Sequence, residues 1–64
     1  MSKLKFYRIR AGLTQEEVAR RLSVNQAAVS NWERGTNPPL QKYRRQLAAI
    51  YNVPESELSP QESR

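Results

Sequence analysis

The side chains of this sequence best suited to selective chemistry carry no charge. Gln26, Ser30 and Asn31 bring amides and a hydroxyl, and Ala27 beside them brings a small apolar surface. At helical spacing these four share one face. Amides and hydroxyls both donate and accept hydrogen bonds, so the chemistry they offer is recognition of a mixed donor and acceptor edge. Reagents for breaking bonds are scarce. The chain has no His, Cys or Asp, which removes the commonest general base, the thiolate ligands of zinc and every Ser-His-Asp arrangement. Glu16 and Glu17 are neighbours on a helical stretch and point different ways, so they are not a catalytic pair. The expectation is a protein that is not an enzyme and takes no metal and no cofactor.

Those four residues need a helix, and the sequence marks where it starts. In Leu13-Thr14-Gln15-Glu16-Glu17-Val18, Thr14 caps a helix of residues 15–22 and Glu17 reaches back to close a capping box. Leu13 and Val18 sit at the staple positions around that cap, and Val18, Ala19 and Leu22 form its apolar stripe. After a break at 22–26, Asn25 caps a third helix of residues 26–33, with Val24 and Val29 repeating the staple. Val29 and Trp32 face the core, and Gly35 ends the helix. Two short helices joined by so few residues must turn sharply and share a core.

The flanking elements are plainer. A first helix of residues 2–11 places Leu4, Tyr7, Arg8 and Ala11 on one face and stops at Gly12. Thr36 to Pro39 reads as a loop, although proline is tolerated in a first helical turn, so the fourth helix can begin inside the proline pair. Leu40, Tyr43, Leu47, Ile50 and Tyr51 follow helical spacing up to Asn52, a candidate left-handed end. Residues 54–58 can form a last turn anchored by Val53 and Leu58. The whole reads as an all-α, compact five-helix domain over residues 1–58 with a flexible C-terminal tail, 59–64.

With 64 residues and a net charge of +5, the chain has room for one small domain with a modest core. Residues 1–53 hold ten basic and three acidic side chains, whereas residues 54–64 hold one and three. A basic body suits a polyanionic partner, or it serves solubility alone. No apolar run reaches the ~18 residues of a membrane span, and no signal peptide opens the chain. The expected location is therefore cytoplasmic, without membrane contact.

The stretch Leu13 to Ala19, followed by Val24, Asn25-Gln26, Val29-Ser30 and Trp32-Glu33-Arg34-Gly35, resembles the phage repressor and Cro-type helix-turn-helix family over about residues 3–58. The resemblance implies a transcriptional regulator of the repressor or Cro kind whose third helix enters the DNA major groove. Gln26, Ala27, Ser30 and Asn31 would then read base edges, with glutamine suited to adenine and alanine to the thymine methyl. Thr14, Gln15 and Asn25 at helix starts, with Arg34, Thr36, Asn37 and Lys42, would hold phosphates. Arg8 and Glu33 would form a structural ion pair. The resemblance also implies a homodimer, formed off DNA or only on it, on a roughly palindromic double-stranded operator. With no second domain in sight, the chain is either whole or the N-terminal piece of something longer. It departs from the family at Ser23, where the turn often has a left-handed glycine; strain of about 1–2 kcal/mol follows unless the turn takes another shape.

Plainer readings stand beside these. Gln26, Ser30 and Asn31 also suit a solvated face, and Ala27 and Ala28 are good helix formers. Trp32 fits the core at its spacing, or a stacking platform for single strands. Lys42, Arg44 and Arg45 suit a phosphate patch or a solubilising face. Phe6 and Ile9 lie opposite the core face of the first helix; they either pack against Val53 and Leu58 or form an apolar patch for a protein partner. The alternative function is accordingly a protein-interaction module, such as an antitoxin-like or co-regulator subunit.

Overall fold

Local hydrogen bonds fix the first boundaries. In the computed structural model, which describes residues 3–58, the Thr14 hydroxyl accepts the Glu17 backbone N–H at 3.1 Å and the Glu17 carboxylate accepts the Thr14 N–H at 2.8 Å. This capping box starts α2, Gln15–Leu22. The Asn25 side chain accepts the Ala28 N–H at 2.9 Å and starts α3, Gln26–Arg34. Between them Ser23 takes the left-handed conformation at φ 60° and ψ 40°, so the strain expected of a non-glycine residue there is present. Gly35 closes α3 at φ 82°.

Two further α-helices flank this pair: α1, Lys3–Arg10, and α4, Gln41–Tyr51. A four-residue 3-10 turn, Glu55–Leu58, completes the described chain. The architecture is all-α, with no strand among the described residues. The fifth helix of the sequence reading is thus a single 3-10 turn. The Glu57 N–H closes on the Pro54 carbonyl three residues back at 3.0 Å, and so short a segment gains too few bonds to propagate as an α-helix. The proline pair lies outside α4, which starts only at Gln41 with Leu40 as its N-cap. A tail at 59–64 lies outside the described residues.

Val18, Ala19 and Leu22 of α2 meet Val29 and Trp32 of α3, Leu47, Ala48 and Tyr51 of α4, and Leu58. Trp32 is buried with its ring 5.4 Å from that of Tyr43, so it belongs to the core and is not a stacking platform. Leu4 and Tyr7 bring α1 against this core. The Tyr7 hydroxyl donates to Glu57 at 3.0 Å, and Lys3 bonds the same oxygen at 3.3 Å. Together they tie α1 to the 3-10 turn.

Leu40 and Ala11 depart from the sequence reading, and for Phe6 and Ile9 the structure favours one of the two readings open to them. Phe6 and Ile9 are 49% and 56% exposed, so Val53 and Leu58 do not cover them. The inward face of α1 is already taken by Leu4 and Tyr7, and one helix cannot turn both faces to the same neighbours. Leu40 is 64% exposed because it caps α4 instead of lying within its stripe. Ala11, beyond the end of α1, is also exposed.

Candidate nucleic-acid interface

The α2–α3 pair presents its two helix starts through Gln15 and Gln26, whose side chains meet. Gln26 Nε2 donates to Gln15 Oε1 at 3.3 Å. Gln15 Nε2 in turn donates to Glu33 Oε1 at 3.0 Å. Glu33 is held from the other side by Arg8, whose Nε lies 2.6 Å from Oε2 and whose Nη2 lies 3.2 Å from Oε1. Arg8 Nη1 also donates to the Leu13 carbonyl at 2.9 Å. One guanidinium therefore joins α1, the start of α2 and the end of α3.

The Arg8 and Glu33 side chains are only 12% and 4% exposed. Two parallel N–H bonds to a carboxylate are strong and directional. Removing one partner of such a pair strands a buried charge, at a cost of about 3–5 kcal/mol. The carboxylate raises the Arg8 pKa further, mainly through its hydrogen bond. It also acts on Tyr51 in α4: burial, then the Glu33 charge, pushes that phenol up to about 12.

Along α3, Gln26 and Ala27 are exposed and Ser30 and Asn31 are half-buried. Arg34 Nη2 donates to Asn31 Oδ1 at 2.9 Å, so a neutral and a cationic member of the site are joined. Thr14 and Asn25 have their side-chain oxygens engaged in their own caps. The Thr14 N–H is taken as well, by Glu17, so Thr14 offers an anion the helix-end dipole, and Asn25 adds its backbone N–H. After Gly35, the Thr36 N–H donates to the Asn31 carbonyl at 3.0 Å, fixing how the chain leaves α3. Thr36 and Asn37 are exposed beyond that point. Lys42 is exposed on the first turn of α4, its ammonium 5.0 Å from the Tyr43 ring centroid.

Arg44 behaves differently from its neighbours. It is half-buried and donates to the Pro39 carbonyl at 2.8 Å, so it braces the loop and is not part of a solvated charge run. Sequence spacing does suggest this bond, since a residue four into a helix lies over its cap. No such signal pairs Gln15 with Glu33, because eighteen residues and a turn separate them.

No described helix is long and apolar enough to cross a membrane. Among the described residues no group of three His, Cys, Asp or Glu side chains could hold a metal ion. No curated protein and no solved structure matches the chain. The pattern of the helix-turn-helix family matches residues 4–58, which takes in every element described above but the first residue of α1. The protein belongs to the helix-turn-helix family, of the Cro/C1 type, a family of DNA-binding transcription regulators and not of enzymes.

Proposed function

We propose that this chain is a sequence-specific regulator of the repressor or Cro-like kind that reads double-stranded DNA with α3 in the major groove. The observation that carries the reading is the exposed start of α3, where Gln26 is steadied by Gln15. A positioned amide can make paired hydrogen bonds to one base edge. Ala27, Ser30 and Asn31 extend the contact along the groove. Gln15 and the backbone starts at Thr14 and Asn25 meet phosphates, as do Arg34, Thr36, Asn37 and Lys42. One such domain spans about half a site, so two copies bind a roughly palindromic operator. The domain occupies residues 1–58, and the protein works in the cytoplasm.

Replacing Gln26 by Ala tests the base contact. Discrimination at one base pair of each half-site should fall by about 1–3 kcal/mol while other positions keep their preference. A variant with wild-type preference at every position contradicts the reading.

The exposed Phe6 and Ile9 favour a second reading, a surface for a protein partner. Arg10 lies over the Phe6 ring at 5.8 Å, which gives that surface a basic edge. Binding through it would survive high salt and would not need Gln26.

A further inference from the structure

We propose that Glu33, buried beneath the interface, is a positioning residue that decides which purine Gln26 accepts. The inference rests on the base-reading role of Gln26 and adds a second layer to it. A carboxylate paired with a guanidinium can only accept hydrogen bonds. Both Glu33 oxygens already accept from Arg8, and Oε1 also accepts from Gln15. Gln15 must therefore turn its Nε2 inward and its Oε1 outward. That outward oxygen obliges Gln26 to donate through Nε2.

Gln26 is left with one N–H and its Oε1. One donor beside one acceptor complements adenine, whose groove edge offers the N7 acceptor and the N6 amino donor. Guanine offers two acceptors, N7 and O6, and would need two donors. Were the Gln15 amide reversed, Gln26 would spend its oxygen on Gln15 Nε2 and keep both N–H groups, which suits guanine. The buried charge selects between these two directions of the amide chain.

Changing Glu33 to Gln tests this with a nearly isosteric side chain. Its oxygen stays with Arg8 Nε, the shorter contact at 2.6 Å. Its Nε2 then takes the place of Oε1, gives up the longer Arg8 Nη2 contact and faces Gln15, which reverses the chain. The probes are a selected duplex operator and the same duplex with A·T replaced by G·C at the pair where Gln26→Ala relaxes preference. The wild-type protein should prefer the A·T duplex by about tenfold or more, and Glu33→Gln should bring the ratio to about twofold or less.

Gln15→Met cuts the chain without touching the ion pair, and it should also lower the ratio to about twofold. Adding Glu33→Gln to Gln15→Met should then change the ratio hardly at all, although stability falls. A merely structural Glu33 would lower affinity for both duplexes alike and leave their ratio intact. A folded Glu33→Gln with the wild-type ratio overturns the proposal, as does a Glu33→Gln effect of equal size with and without Gln15. If Glu33→Gln does not fold, Gln15→Met decides, and an unchanged ratio there overturns it. Wild-type preference in Gln26→Ala would instead remove the base-reading role itself, and the relay with it.

Discussion

Helices α3 and α4 have similar lengths, nine and eleven residues, and are held in place by different means. α3 begins on the Asn25 side-chain cap, ends on a left-handed glycine and carries Glu33 into a buried ion pair. α4 begins at Leu40 with no side-chain cap bond and relies on Leu47, Ala48 and Tyr51 in the core, with Arg44 braced on Pro39. α2 resembles α3, since its capping box is complete. The helices of the candidate interface thus add directional bonds at their ends to the apolar burial they share with the supporting helix. Reading a base edge needs atoms placed to a fraction of an ångström, which hydrogen bonds supply better than apolar contact. Support for that surface needs only volume.

The largest effect should come from breaking the ion pair. Glu33→Ala leaves Arg8 buried without its partner and should lower stability by about 3–5 kcal/mol in urea unfolding. A loss below ~1 kcal/mol would mean that burial of Val29 and Trp32 is enough to hold α3.

The helix starts should respond in opposite directions. Thr14→Ala removes a working cap and should cost about 1 kcal/mol. Leu40→Asp supplies a cap where none exists and should gain about as much, because Leu40 is exposed and its backbone is already extended. Equal losses in both variants would erase the contrast between these starts. Ser23→Gly should stabilise the α2–α3 turn by up to about 1 kcal/mol through relief of the left-handed strain, less the entropy a glycine loses on folding. Loss of stability there would show that the Ser23 side chain contributes more than its strain costs.

Extremes of pH should loosen the two regions separately. The Thr14 N–H holds the Glu17 carboxyl below its ordinary 4.5. The resulting stability is present above that value and lost as pH falls through the lowered one. Tyr51 is raised from 10.0 to about 12, so its contribution is present below pH 10 and lost as pH rises toward 12. Melting curves of Glu17→Gln and Tyr51→Phe across pH should each lose one of these two slopes.

The same contrast decides what could be read from sequence. Thr14, Glu17, Asn25 and Gly35 signal through neighbours three or four residues away, so the limits of α2 and the start of α3 were legible. The core residues Val18, Leu22, Val29, Trp32, Leu47 and Tyr51 followed from helical period. The exposure of Leu40 was not legible, and that of Phe6 and Ile9 was one of two open readings, because period alone does not say how many faces of a helix find a neighbour. Nor was the route from Glu33 through Gln15 to Gln26, or the bond from Tyr7 to Glu57, fifty residues apart. Such contacts exist only once the helices are packed. The pair of Arg8 and Glu33 entered through family resemblance alone, since nothing in their spacing of twenty-five residues demands it.

A helix rich in neutral amides, set on a basic body, should read DNA sequence. Selection of binding sites from a random duplex library, repeated over a range of salt concentrations, tests it most directly. An inverted repeat with half-sites about one helical turn apart should emerge, bound less tightly as salt rises. Recovery of unrelated sequences, bound only through salt-sensitive contacts, would contradict it.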